Sequence, residues 1–281
     1  MSSSDESIEK YYGSRGDDFT QLIRSLLKRG RLNSKHIDTI IDKGMNAYKL
    51  AFTHSTVSDT ENYEYYEMLG DATVNCAIVW YLNECFPHLH CPGGVKIIAR
   101  LKINLVSKRT FGPLGEKLGL WPFVSADQEI RDNKMKQTLE DVFEAFFGVT
   151  CSMIDTHIKS GAGFKICANI IKSVYDEHIQ PISLKYEHLF DAKTRLKETF
   201  DYPDFKMTLS NLKYTCEKNI EERMNYVNIT ASTPSGTRII GQGTGPLKPT
   251  AEQNAARDAL SNLARMGFKR PVPDAFKEFC S

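Results

Sequence analysis

The chain has 281 residues, of which 25% are charged, and a formal net charge of +1 at pH 7. This length suits about two domains, the near-neutral balance gives no strong sign of a polyanionic partner, and no apolar run reaches the ~20 residues of a membrane span. Seven cysteines without a framework spacing, and a polar start in place of a secretory signal, predict a reducing intracellular compartment such as the cytoplasm, without secretion.

The first part of the chain predicts a polar tail followed by a helical domain. Residues 1–17 form the tail because they offer little to a core. Over residues 18–178 apolar side chains recur at helical spacing, with one continuous helix over 95–109 and loops at 87–94 and 119–133. No strand pattern precedes residue 200, so we expect this domain to be all-α.

Two acidic windows fall on helices of this domain. Glu64, Glu67 and Asp71 are spaced i, i+3 and i+7, within an arc of about 60° at ~100° per residue. Asp141 and Glu144 are spaced i, i+3 on a later helix. Either window alone is typical of a solvated acidic helix face. Because both are embedded in apolar sequence, we expect facing core helices whose acids bind divalent cations through oxygen ligands.

Small residues accompany both windows and would let the two helices approach closely. They are Gly70, Ala72, Ala145 and Gly148.

At this point the residues resemble a known family. Residues 64–71 resemble the signature of the ribonuclease III family, and residues 141–145 resemble its second acidic motif. The resemblance covers about residues 20–178, and Tyr63 and Tyr65 depart from it, since the family usually has Asn and Arg there. Further stretches that agree in order and spacing are 51–55, 105–110 and 118–120.

The resemblance implies a set of site residues. Asp71 and Glu144 would be catalytic, and Glu64 would be an accessory acid. The cofactor would be Mg²⁺, with Mn²⁺ as a substitute, and it would activate a water and stabilise charge on the scissile phosphate. The implied metal ligands are Glu67, Asp71, Asp141 and Glu144.

A second domain is expected after a linker at residues 179–187. It would occupy residues 188–268, and a tail would follow at 269–281. The order is helix, three strands, helix, and Thr250-Ala-Glu-Gln253 matches a capping box for the last helix. The predicted elements are a helix over 189–200, strands over 213–217, 226–232 and 237–241, and a helix over 251–266.

This order, with the glycine-spaced stretch 241–245, looks like a double-stranded RNA-binding domain. The mild basic excess of +4 in residues 185–270 agrees with a nucleic-acid module. Lys248 matches the first lysine of the family's pair, while Pro249 replaces the second. The RNA contacts that the resemblance implies are Lys193, Thr194, Glu198 and Lys248.

Two other groups of residues have simpler interpretations. Cys85, His88, His90 and Cys91 lie too close together for a common zinc site, and the resemblance implies an ordinary loop there. His54 is interpreted as a hydrogen-bonded structural histidine because a metal-activated mechanism needs no such base.

The sequence therefore predicts an all-α ribonuclease III endonuclease domain followed by an α-β-β-β-α double-stranded RNA-binding domain. The function would be metal-dependent cleavage of double-stranded RNA, leaving short 3′ overhangs, by a homodimer paired through Tyr65, Met68 and Ala72. The alternative is a catalytically silent duplex binder, either a ribonucleoprotein scaffold or a competitor of RNA silencing. A DNA nuclease fits less well, because the second domain resembles a reader of RNA shape. The departures from the family pattern are compatible with an organelle, a protist or a large DNA virus as the source, and the physiological RNA stays open.

Overall fold

The structure is a computed structural model that describes residues 9–279. The chain divides between Ile182 and Ser183 into two compact units. The helices of the N-terminal unit are α1 (Asp17–Arg29), α2 (Ser34–Ala51), α3 (Glu64–Cys85), α4 (Val95–Leu105), α5 (Lys108–Lys117), α6 (Gln128–Asn133), α7 (Met135–His157) and α8 (Gly163–His178). Short 3₁₀ turns lie at Pro87–Leu89 and Trp121–Phe123.

Helix α7 forms the centre of this unit. Every residue from Val142 to Thr150 is buried, which is typical of a helix enclosed on all sides rather than one with a single apolar face. Helix α3 packs along it, and α2, α5 and α8 also contact it. The two helices that carry the predicted acids are therefore the pair with the most extensive contact in the unit.

The N-terminal segment differs from the expected polar tail in its described part, residues 9–16. Strand β1 (Lys10–Tyr11) pairs antiparallel with β2 (Ala126–Asp127). The guanidinium of Arg15 donates hydrogen bonds to the carbonyl of Phe52 and the hydroxyl of Ser125. These polar contacts hold the segment on the helical unit. The sequence did not predict them, because the expectation of a tail was based on how little the segment offers to an apolar core. Residues 1–8 lie outside the described residues.

The continuous helix predicted over 95–109 is wrong, because the chain breaks between α4 and α5. Ser107 has extended backbone angles, and its hydroxyl bonds to the carbonyl of Asn104. The break turns the chain so that α5 begins at Lys108. The predicted loop over 119–133 also contains the short helix α6, which is capped by the Asp127 carboxylate.

The C-terminal unit keeps the expected order of a helix, three strands and a helix, with two differences. The helix predicted over 189–200 begins only at Ala192, because the backbone at Phe190 is extended, and the tail predicted over 269–281 contains a short helix. Its three strands form one antiparallel sheet in the order β3-β4-β5. Buried alanines of the last long helix pack on this sheet. The elements are α9 (Tyr186–Leu189), α10 (Ala192–Phe200), β3 (Ser210–Asn219), β4 (Met224–Thr233), β5 (Gly236–Gly245), α11 (Lys248–Arg265) and α12 (Asp274–Lys277).

The start of α11 corrects the predicted capping box. The helix begins at Lys248 rather than at residue 251, because Pro249 falls in the first turn, where no backbone N–H is needed. The Gln253 side chain does not cap its own helix. Its Oε1 instead accepts from the backbone N–H of Ala192 at 2.9 Å, and its Nε2 donates to Asp191, so it caps α10.

Across residues 9–279, the helices are all too short or too polar to cross a membrane.

Candidate active site

All five predicted acids line one cavity of about 680 Å³ between α3 and α7. A sixth carboxylate, Glu140, lines it as well, and Lys108 at the start of α5 supplies the one positive charge among the lining residues. We call this cavity the acid cup. It is lined by Glu64, Glu67, Asp71, Glu140, Asp141 and Glu144, together with Met68, Val106 and Lys108.

Two glycines bring the acid-bearing helices together. A Cβ atom on Gly70 would lie 1.8 Å from the carbonyl oxygen of Glu144, and one on Gly148 would lie 2.0 Å from the carbonyl oxygen of Tyr66. Only glycine permits this backbone approach. The expectation for Ala72 is wrong, because this residue is exposed and faces away from the crossing.

The carboxylates of the acid cup disfavour one another's charged forms. Burial, followed by repulsion from Asp71 and other acids of the cup, raises the pKa of Glu144 to about 8. Burial, followed by repulsion from Asp141 and other acids, raises the pKa of Glu67 to about 7. Glu144 is only 8% exposed. The cup therefore carries protons at neutral pH that a cation would displace.

Asp141 is held in position by a tyrosine. The Tyr63 hydroxyl donates to Asp141 Oδ2 at 2.9 Å, and Tyr63 is itself buried. Burial raises the pKa of Asp141, while this hydrogen bond lowers it. The sequence marked Tyr63 only as a departure from the family pattern and missed this contact.

His54 lies outside the lining of the acid cup. Its Nδ1 accepts a hydrogen bond from the backbone N–H of Thr56 at 3.0 Å, and its ring stands edge-on to the ring of Tyr63. Burial lowers the pKa of this histidine. These contacts agree with the structural role expected for it.

Glu140 and Lys108 are the site residues that the sequence analysis missed. Glu140 Oε2 is buried, and within residues 9–279 it lacks a hydrogen-bond partner. Lys108 Nζ lies 3.6 Å from it, which is an ion pair rather than a hydrogen bond. Glu140 precedes Glu144 by one helical turn, so its spacing was an available signal. Lys108 could be placed only once the break before α5 was known.

The donors of the acid cup fit a hard divalent cation. They are carboxylate oxygens, which Mg²⁺ and Mn²⁺ prefer, and Glu140 Oε2, which accepts no hydrogen bond from the described residues, adds a buried acceptor. Over residues 9–279, no three His, Cys, Asp or Glu side chains converge into a ready-made ion cage. The carboxylates therefore line an open cavity rather than converge on one point. In the loop between Cys85 and Cys91, for which the sequence offered a zinc site only as a weak alternative, His90 Nε2 contacts the backbone carbonyl of Asn83.

Three of the residues that the resemblance implies for RNA lie together on the C-terminal unit. Lys193, Thr194 and Glu198 of α10 line a surface cavity of about 600 Å³ next to Tyr214 of β3. Lys248, at the start of α11, is exposed and does not line this cavity.

The charged members of this group already have partners in the C-terminal unit. Lys193 Nζ lies 2.6 Å from a carboxylate oxygen of Glu252. Glu198 pairs with Arg270 and accepts a hydrogen bond from the Tyr186 hydroxyl at 2.8 Å. A phosphate that bound at this surface would therefore compete with Glu252 for Lys193.

The chain is similar to proteins named ribonuclease 3 over most of its length. Residues 64–151 match the model of the Ribonuclease III domain. A putative ribonuclease 3 of Invertebrate iridescent virus 6 is 37% identical, over 96% of this chain and 95% of the relative. One from Frog virus 3 is 32% identical, over 86% of this chain and 62% of the relative. The nuclease domain of a Campylobacter jejuni ribonuclease III is 22% identical, with a TM-score of 0.44, over 58% of this chain and 97% of that structure.

Proposed function

Because the chain belongs to the ribonuclease III family, we propose that it is a divalent-metal-dependent endonuclease that cleaves double-stranded RNA. The observation that carries this proposal is the acid cup, in which six carboxylates from two core helices surround one cavity. Burial, followed by mutual repulsion, raises the pKa values of Glu67 and Glu144, and a bound divalent cation would offset this cost of keeping the acids together.

Four of the six acids would hold the metal. Glu67 and Asp71 on α3 face Asp141 and Glu144 on α7 across the cavity, and Glu64 at the rim is the accessory acid. Bound Mg²⁺ supplies an activated water and stabilises the charge that develops on the phosphate. Mn²⁺ prefers the same oxygen ligands and would substitute for it.

Residues around these ligands would fix their orientation. Tyr63 holds one oxygen of Asp141, and the side-chain amide of Asn75 donates to Asp71 Oδ1 at 2.6 Å. Each contact leaves the other carboxylate oxygen available to a cation. Lys108 is largely exposed at the mouth of the cavity, where its ammonium group would meet a substrate phosphate.

The proposed working form is a homodimer. Beside the acids, α3 presents an exposed apolar stripe that includes Tyr65 (63% exposed), Met68 (64%) and Val79 (42%). Ala72 and Cys76 continue it, and at ~100° per residue all five lie within an arc of about 80°. Such a stripe is suited to an isologous contact with the same helix of a second copy.

Two acid cups in a symmetric dimer would each cut one strand of a duplex, and the short offset between the cuts would leave 3′ overhangs. The C-terminal unit would bind the duplex through the face that carries Lys193 and Thr194. Because Lys193 is paired with Glu252, we expect this unit to add moderate rather than strong affinity.

The test is cleavage of a labelled RNA duplex with Mg²⁺ or with chelator. Wild-type protein should cleave only with the metal, and Glu144→Gln should reduce cleavage more than tenfold, which is about 1.4 kcal/mol. The amide keeps the shape of the side chain but removes a cation ligand, so duplex binding should stay within a few-fold of wild type. Glu84→Gln is the matched control, because Glu84 is exposed on α3 outside the cup.

Two outcomes would overturn the proposal. Cleavage by Glu144→Gln within tenfold of wild type would mean that this residue is not a critical ligand. Duplex binding without any metal-dependent cleavage by the wild type would favour the silent RNA-binding protein instead.

A further inference from the structure

A second cavity in the C-terminal unit shares no lining residue with the acid cup or with the cavity that Lys193 and Thr194 line. It occupies the groove between α10 and α11, and its volume of about 530 Å³ is in the range of small-molecule sites. Residues 185–187 and the segment 268–272 complete its wall. We call it the basic pocket.

The lining of the basic pocket is strongly cationic. Five cationic side chains line the pocket. Within residues 9–279, Arg270 is the only one of the five that has an acidic partner, which is Glu198. The other four are not neutralised in this way, so the pocket has a net positive charge despite the presence of Glu187. The five cationic side chains are Lys185, Arg195, Arg257, Lys269 and Arg270.

Arg195 is the lining cation that has a buried polar atom. Its Nε atom is buried and finds no hydrogen-bond acceptor in the described part of the chain. A buried donor without an acceptor costs free energy, and an anion oxygen would recover it only if the guanidinium group turned toward the pocket that Arg195 lines. The planar guanidinium group is well suited to phosphate, because it can offer two parallel donors.

The other side of the basic pocket is apolar. Leu260 and Ala264 of α11 face it, together with Phe268, Pro271 and Val272 from the segment that follows the helix. A bare inorganic anion would leave this surface uncovered. The ligand should therefore combine an anionic group with an organic part large enough to cover the apolar wall.

We propose that the basic pocket binds a nucleoside 5′-monophosphate group, either as a free nucleotide or as the terminal nucleotide of an RNA strand. The phosphate would lie against Arg195 and Arg257, and the base against Leu260 and Phe268. This site goes beyond the proposed nuclease function, because it needs neither the acid cup nor a duplex. Both sources present the same chemical group, and binding experiments can separate them.

The first experiment is calorimetric titration of the full chain with adenosine 5′-monophosphate in the presence of chelator. Wild-type protein should bind it at least tenfold more tightly than it binds adenosine or inorganic phosphate. Arg257→Gln should weaken binding at least tenfold. Arg265→Gln is the matched control, because both arginines are exposed on α11 and each donates to an asparagine three residues earlier, but Arg265 does not line the pocket.

Lys269→Gln provides a second variant on an exposed rim position, where loss of folding is not expected. A short single-stranded RNA with a 5′-phosphate, tested against the same RNA with a 5′-hydroxyl, identifies the source. Competition with the mononucleotide by the phosphorylated strand alone would support a strand terminus. Binding of the mononucleotide without competition by either strand would support a free nucleotide.

Three results would overturn the proposal. They are no binding of adenosine 5′-monophosphate at millimolar concentration, equal binding of inorganic phosphate, and binding that neither Arg257→Gln nor Lys269→Gln weakens. None of them bears on cleavage, because the titration contains no divalent metal.

Discussion

The hydroxyl of Tyr63 lies 2.9 Å from Oδ2 of Asp141 and connects the start of α3 to α7. Tyr63→Phe removes this hydrogen bond and keeps the buried ring. We expect the free carboxylate to rotate, so that the Mg²⁺ concentration needed for half-maximal cleavage rises about tenfold while duplex binding is unchanged. Tyr65→Phe is the control, because Tyr65 is exposed and its ring stands edge-on to that of Tyr66. An equal metal requirement in the two variants would show that Tyr63 does not position Asp141.

The raised pKa values of Glu67 and Glu144 predict how the stability of the metal-free protein depends on pH. Both folded-state values, about 7 and about 8, lie above the ordinary value of 4.5. Their contribution to stability is therefore complete below pH 4.5 and is lost as the pH rises through 7 and 8. In chelator, Tm should fall by several degrees between pH 6 and pH 8.5, as measured by scanning calorimetry.

Divalent cations should reverse this loss, because they stabilise the deprotonated acids. Mg²⁺ should raise Tm more at pH 8.5 than at pH 6. Glu144→Gln should flatten the slope in chelator, since an amide does not titrate, whereas Glu84→Gln should retain it. A metal-free Tm that rises over this pH range would contradict the repulsion inferred within the acid cup.

The apolar stripe on α3 predicts that dimerisation depends on Val79. A lysine there would place a charge in the seam between two copies, so Val79→Lys should weaken dimerisation at least tenfold in analytical ultracentrifugation and lower cleavage at dilute protein concentration. Ile103→Lys is the control, because Ile103 is also an exposed apolar residue (52%) but lies on α4. Monomeric wild-type protein with full nuclease activity at micromolar concentration would rule out this seam as a functional requirement.

The ion pair between Lys193 and Glu252 predicts that Glu252 weakens RNA binding by competing with phosphate for Lys193. Glu252→Gln removes the competing carboxylate, so duplex binding should tighten several-fold, and its logarithmic salt dependence should steepen by about 0.9, the value for one added phosphate contact. Glu217→Gln makes the same change of charge on an exposed strand position. If both variants bind alike in fluorescence anisotropy titrations in chelator at two salt concentrations, Lys193 does not contact phosphate.

The helical spacing of the acids was readable from sequence because local periodicity determines which side chains share a helix face. The family resemblance then paired the two windows. The break at Ser107 was not readable, since apolar residues continue on both sides of it, and the position of Lys108 depends on that break. Gln253 was misread for a related reason: its side chain serves a helix that is distant in sequence, and only tertiary structure shows which N-terminus it caps.

The crossing at Gly70 and Gly148 also bears on which ions the proposed metal site could select. Where two helices meet through leucine or valine side chains, a substitution that adds or removes one methyl group can change the distance between the helices. The dimensions of a site between them then change with the core residues. Here main-chain atoms set the separation, and a single added carbon at either glycine would collide with a carbonyl oxygen. The distance between the carboxylates of α3 and those of α7 therefore depends little on substitutions of core side chains elsewhere. A change in preferred ionic radius would have to come from side-chain length within the cup, as in an exchange of Asp for Glu.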